Sequence, residues 1–231
     1  GDGDGDGDGD GDSISVLFVG NSYTAYNGLH TWVATIAQEA GIDFSADAIT
    51  VGGQNFEGHA GTATTVASIA DPSFDAVVLQ GQSVEPWLST SNFITFGLAL
   101  SDPVCMAGRE VFFFETWARA EGASVYDIDP SVTTPDELQQ ELTAGYAALA
   151  AASPCGEVAP VGQAWQLVWQ MRPSPPLHTA DLSHPNALGS YLAALVFARD
   201  LADVDPIGAW SPPGISEADV DVVQQAAANA P

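Results

Sequence analysis

The sequence predicts an α/β protein: a three-layer α/β/α sandwich around a five-stranded parallel sheet. Three observations carry this. Five short apolar runs are separated by helical stretches, the pattern of strands joined by crossovers. The connections are long enough for helices to cover both faces of a parallel sheet. The chain has 231 residues, 46% of them hydrophobic, which is enough for one sizeable core and rules out a wholly disordered chain.

Each element has its own local signal. Residues 14–19, ISVLFV, are rich in β-branched side chains and end in Gly20-Asn21-Ser22, as a strand breaking into a turn does. A helical stretch follows near 29–40. Residues 44–51 are a weaker strand candidate ending in Gly52-Gly53, and a helix is expected over 59–70. Asp75 opens AVVLQ, which ends at Gly81. A helix near 92–107 leads into EVFFFETW at 110–117. Residues 118–133 form a long excursion, with Pro130 and Pro135 as breakers. Residues 136–152 read as a helix with Thr133 or Thr134 as its N-cap, and EVAPVG at 157–162 is the fifth strand. Prolines mark 172–185 as loop, and 187–202 is a strong amphipathic helix. Right-handed crossovers wind these strands into a flavodoxin-like sheet, whose ligands sit outside the carboxyl ends of the strands.

The chain divides into three parts. Residues 1–12 repeat Gly-Asp six times, which predicts an extended, flexible linker. Residues 13–209 are expected to form the α/β domain, and 210–231 a C-terminal extension packed on it or continuing it. A linker at the front leads us to expect an export or lipid-anchor segment upstream. Thirty acidic residues against four arginines and no lysine give a net charge of −26. That charge excludes nucleic acid and anionic lipid surfaces as partners. No apolar run is long enough to span a bilayer.

Cys105 and Cys155 are the only cysteines, and each stands just before a strand candidate. Successive parallel strands would bring them to the same end of the sheet, close enough to bridge. The alternative is a pair of buried thiols. A bridge implies an oxidising compartment, hence an extracytoplasmic location.

Polar residues after strands carry the chemistry. A serine hydroxyl needs a base to become a nucleophile. For Ser22 the base is His184, in Asp181-Leu182-Ser183-His184-Pro185. An aspartate three residues before a histidine can fix its tautomer and leave the other nitrogen for the serine. Acyl transfer also needs donors for the oxyanion. The Ser22 and Gly53 N–H groups and an amide from Gln80 or Gln82 are the candidates. Asn21, Gln54, Glu115 and Trp117 are candidate substrate contacts. Each residue also has a plainer reading: Ser22 as a helix N-cap, Asp181 as a turn residue, Gln80 as a strand-end hydrogen bonder, Trp117 as packing. Four histidines without a His-x-x-x-His pair or cysteine cluster give no reason to expect a metal, and no organic cofactor is called for.

The blocks VLFVGNSYT, VVLQGQS and SHPNALGSYLAALVFA, in this order, resemble the SGNH (GDSL-like) hydrolase superfamily, specifically a bacterial branch with Gly-Asn-Ser in the first block. The resemblance runs through most of 14–208. It implies a Ser/His/Asp esterase in which Ser22 is the nucleophile, Gly53 the second-block glycine, and Asp181 and His184 the last block. Two departures stand out. Asn21 replaces the usual aspartate, and the usual Gly-x-Asn-Asp of the third block is absent. Gln80-Gly81-Gln82 is similar instead to the Gln-Gly-Glu block of carbohydrate acetylesterases in the superfamily, which favours Gln80 over Gln82 as the amide. The expected function is hydrolysis of a short-chain acyl ester, such as an acetyl group on a carbohydrate. The rival is a non-catalytic carbohydrate- or surface-binding module on the same fold.

Overall fold

The structure, a computed structural model, describes residues 13–171 and 177–231. The Gly-Asp repeat and residues 172–176 of the proline-rich loop lie outside them. The strands are β1 (Ile14–Gly20), β2 (Phe44–Thr50), β3 (Ala76–Leu79), β4 (Glu110–Phe114) and β5 (Gly156–Ala159). All pair in parallel, in the order β2-β1-β3-β4-β5. The helices are α1 (Ser22–Ala25), α2 (Leu29–Glu39), α3 (Phe56–Ala60), α4 (Ala63–Ile69), α5 (Glu85–Leu88), α6 (Thr90–Met106), α7 (Pro135–Ala152), α8 (Val161–Met171), α9 (Ala187–Ala202) and α10 (Glu217–Asn229).

Strand side chains alternate between two cores, as the two-residue period requires. Val16, Phe18, Val78 and Phe114 pack against α2, α8, α9 and α10. Leu17, Val19, Val77, Leu79 and Phe113 pack against α3, α4, α6 and α7. The three-layer sandwich predicted from the sequence is therefore present, and both faces of each central strand are buried.

Several boundaries differ from the sequence expectation, each for a local reason. The helix expected over 59–70 is two helices, because Thr62 is extended (φ −102°, ψ 106°) between them. β5 stops at Ala159, and Pro160 then starts α8 by accepting from the Ala164 N–H at 3.0 Å. β4 ends at Phe114, although Glu115, Thr116 and Trp117 stay buried. Thr134, not Thr133, caps α7 and forms a capping box with Glu137. Residues 217–229 form α10, which buries Val223, Ala226 and Ala227 in the same core as α9.

Cys105, in the last turn of α6, is bonded to Cys155 just ahead of β5, with Cα atoms 5.5 Å apart. The bridge joins two elements at the N-terminal edge of the sheet, opposite the edge where Ser22 follows β1. Replacing both cysteines by serine is expected to cost about 2–4 kcal/mol of stability, read by denaturant unfolding. Activity per folded molecule should be unchanged, because the bridge lies at the far end of the strands from the serine.

Candidate active site

β1 ends at Gly20 because the chain turns there against its neighbours. A Cβ at Gly20 would stand 2.3 Å from Thr24 Oγ1 and 2.6 Å from Gln80 Oε1, so only glycine fits. Asn21 follows, 3% exposed and extended, and is the N-cap of α1: its Oδ1 accepts from the Tyr23 N–H at 3.0 Å. Its Nδ2 donates to the Gln54 carbonyl at 3.0 Å and points at the Gly81 carbonyl at 3.5 Å. One buried amide thus ties together the ends of β1, β2 and β3. It also takes the capping role from Ser22, whose hydroxyl is left for another partner.

That partner is His184. Its Nε2 is 2.8 Å from Ser22 Oγ, and its Nδ1 is 2.6 Å from Asp181 Oδ2. The two carboxylate oxygens divide the work. Oδ2 holds the ring, while Oδ1 accepts from the N–H groups of Ser183 and His184, each at 2.9 Å, and from Thr179 Oγ1 at 2.7 Å. Partial burial acts to raise the Asp181 pKa, but the bonds from His184, Thr179 and Ser183 outweigh it and hold the carboxyl well below the usual carboxylate range. The carboxylate therefore stays ionised into acid, and the pair is lost only as pH falls through that lowered value.

The loop carrying His184 lies outside the sheet and is fastened from several sides. Leu182 takes a left-handed φ of 64° between Asp181 and His184. Its carbonyl accepts from the Ala120 N–H at 2.9 Å. The Ser183 carbonyl accepts from Trp117 Nε1 at 3.0 Å, and Ser183 Oγ pairs with the Tyr23 hydroxyl at 2.9 Å. The Tyr26 ring stacks on the imidazole, with centroids 4.4 Å apart and planes 14° apart. Tyr23 and Tyr26 were not singled out by the sequence reading, although both follow the Gly-Asn-Ser turn directly.

The other candidates fall into two groups. Gly53 is exposed, has φ +70° and leaves open space where a Cβ would stand. Its glycine is needed for the turn from Val51 to Gln54, and its outer side is free. Gln82 is partly exposed and lines a cavity of 270 Å³ together with Gly53, Asn55, Leu88 and Asn92. Its Oε1 accepts from the Val84 N–H at 2.9 Å, and its Nε2 donates to Ser83 Oγ at 3.4 Å, which leaves one amide N–H unused. Gln80 is different. It is fully buried, its Oε1 accepts from the Asn21 N–H (2.9 Å) and Thr24 Oγ1 (3.0 Å), and its Nε2 donates to the Gly81 carbonyl. Its amide oxygen is committed to holding the serine turn.

Of the remaining expected substrate contacts, Asn21, Glu115 and Trp117 are buried and Gln54 is partly exposed. Asn21 is the clamp described above. The Gln54 carbonyl receives that clamp, and its side chain lies over Gly58. Glu115 is 1% exposed; it accepts from Gln139 Nε2 (2.9 Å), Thr143 Oγ1 (2.8 Å) and Gln163 Nε2 (2.8 Å), and burial raises its pKa. Trp117 is also 1% exposed, stacked between Tyr23 (4.6 Å) and Trp165 (4.2 Å). The sequence offered both as substrate contacts, with packing as the plainer reading of Trp117. They are covered because the 118–133 excursion and helices α7 and α8 fold over the end of β4.

Asn21→Asp would set a carboxylate against two carbonyl oxygens in a buried position. The expected result is a loss of about 1–3 kcal/mol in denaturant unfolding, with a weaker contact between Ser22 and His184.

No family model and no curated protein matches the chain. Solved structures do. A DUF4886 family protein from Bacteroides uniformis superposes with a TM-score of 0.81 at 18% identity, over 94% of each chain. A candidate SGNH hydrolase from Slackia heliotrinireducens gives 0.68 at 26% identity, over 81% of this chain and 98% of that one. An acetyl xylan esterase gives 0.63 at 16% identity, over 81% and 100%. Together with the five-stranded parallel sheet, these likenesses give the chain the fold of the SGNH hydrolases.

Proposed function

We propose that the protein is a serine esterase that removes a short acyl group, acetyl above all, from a carbohydrate. The observation that carries this reading is the continuous line of hydrogen bonds Ser22 Oγ–His184 Nε2 and His184 Nδ1–Asp181 Oδ2. Ser22 attacks the ester carbonyl as His184 takes its proton. Asp181 stabilises the imidazolium. The oxyanion is held by the N–H groups of Ser22 and Gly53 and by Gln82 Nε2, since Gln82 is partly exposed beside Gly53 whereas Gln80 is fully buried beneath the serine turn. His184 then protonates the leaving alcohol, and a water repeats the sequence on the acyl-enzyme. The cavity beside Gly53 and Gln82, with its Asn55 and Asn92 amides, suits hydroxyl groups better than a long acyl chain. The acetyl xylan esterase among the structural likenesses points the same way. Among the described residues no helix is long and apolar enough to cross a membrane, and the disulfide supports an extracytoplasmic setting.

The test is hydrolysis of 4-nitrophenyl acetate together with labelling by a fluorophosphonate probe. Ser22→Ala is expected to lower kcat by on the order of 10⁴–10⁶ and to abolish labelling, with unfolding unchanged. Wild-type protein that is not labelled and yet binds a glycan array would replace the esterase with a binding module. The amides are separable in the same assay. Gln82→Ala should cost on the order of 10²–10³ in kcat at little cost in stability. Gln80→Ala should cost about 1–3 kcal/mol in unfolding by leaving the Asn21 N–H without an acceptor.

A further inference from the structure

Arg119 lies in the segment after β4, partly exposed. Its Nη2 donates to Ser83 Oγ at 2.8 Å, next to Gln82. Its Cζ stands 5.9 Å from the centre of the Tyr23 ring, whose hydroxyl is bonded to Ser183, next to His184. The guanidinium thus sits between the loop with the oxyanion amide and the loop with the base. Its Nε is buried without a hydrogen-bond partner.

The other described arginines are used by the chain itself. Arg109 donates to the carbonyls of Ile69, Asp71 and Phe74, and Arg199 pairs with Asp200 and closes the end of α10 through the Ala227 and Ala230 carbonyls. Arg119 has a neutral hydroxyl. Among the described residues no carboxylate lies within ion-pair range of it, in a chain with thirty acidic side chains. A guanidinium offers five donors in a planar fork that matches a carboxylate. Drawing that charge partly out of water without a counter-ion is unfavourable unless a bound group completes it.

We propose that Arg119 recognises a carboxylate carried by the substrate, so that the ester cleaved at Ser22 belongs to an anionic molecule. This rests on the esterase reading. The carboxylate has two possible sources: the acyl half, as in a half-ester of a dicarboxylic acid, or the alcohol half, as in an O-acetylated uronic acid. The net charge of −26 repels such a molecule at a distance, but salt screens that repulsion beyond about 8–10 Å. Selection therefore acts at contact, through Arg119.

The experiment compares matched esters in the wild type, Arg119→Gln and Arg119→Lys. One pair is 4-nitrophenyl hemisuccinate against 4-nitrophenyl butyrate; the other is acetylated methyl galacturonide against acetylated methyl galactoside. In one pair the wild type is expected to favour the anionic ester at least tenfold in kcat/KM, which identifies the half that carries the charge. Arg119→Gln should lower that anionic-to-neutral ratio at least tenfold, and Arg119→Lys should keep part of it. A wild-type ratio near one in both pairs overturns the proposal. So does a loss in Arg119→Gln that falls equally on both members of a pair, which is what a purely structural arginine would give. If the wild type hydrolyses none of these esters, the esterase reading fails, and the anion site is judged alone by calorimetry with succinate and galacturonate. Binding that disappears in Arg119→Gln then sustains it, and absence of binding in the wild type overturns it.

Discussion

The site depends on one buried side chain that does not touch the reaction. Asn21 caps α1 with its oxygen and holds the loops after β2 and β3 with its nitrogen. A serine at the start of a helix would ordinarily spend its hydroxyl on a free backbone N–H. With Asn21 in that role, Ser22 Oγ turns to His184. The substitution that makes this sequence unusual, asparagine in place of aspartate, has a physical reason here. Two carbonyl oxygens face the side chain, and only an amide can donate to them while accepting from Tyr23. Gln80 supports the same turn from below by accepting from the Asn21 N–H. The turn therefore sits where the order β2-β1-β3 reverses the direction of winding, the switch point at which open parallel sheets bind ligands.

The imidazole reaches this turn from 162 residues away, on a loop that no strand restrains. What positions it is aromatic packing. Tyr23, Trp117 and Trp165 form a stack, with ring pairs 2° and 3° from parallel. Stacked pairs of this kind contribute about 0.5–1.5 kcal/mol each beyond the area they bury. Tyr23 and Trp117 also give their polar atoms to Ser183. The residue beside the nucleophile and the residue three past the end of β4 thus hold the residue beside the base, so the serine and histidine loops share one rigid support.

Much of this was legible in the sequence, and the misses have causes. β1, β3 and β4 declared themselves because strands buried on both faces must be apolar throughout. Ser22, Asp181 and His184 stood out because each follows or enters a loop in a short motif whose chemistry is local. The choice between Gln80 and Gln82 was not local. It turns on which amide the Asn21 and Val84 N–H groups engage, and those bonds exist only in the folded chain. α8 was hidden because VGQAWQLVWQM continues an apolar run that begins as a strand, with only Pro160 to mark the change. α10 was available: Ser216 with Asp219 three residues on is an N-terminal capping pair, but its alanine-rich body carries little hydrophobic contrast. Glu115 and Trp117 were offered as substrate contacts from their place after a strand, and burial there depends on how the chain as far as α8 folds over them.

Glu115 shows why a polar residue stands at that covered position at all. Three donors converge on it, Gln139 and Thr143 from α7 and Gln163 from α8. Its backbone carbonyl accepts from the Gly162 N–H at 3.0 Å. Desolvation works against the charge, so an apolar side chain of the same shape would be cheaper for stability alone. A carboxylate does something an apolar group cannot: it is satisfied only when both helices sit at one rotation and one height relative to β4. Gly162 enforces the same fit, since a Cβ there would meet the Gln139 amide at 2.2 Å and the Thr116 carbonyl at 2.3 Å. α8 in turn carries Trp165, the far end of the aromatic stack that supports His184. The buried acid thus acts on the site at one remove, by fixing the helix against which the whole stack is aligned.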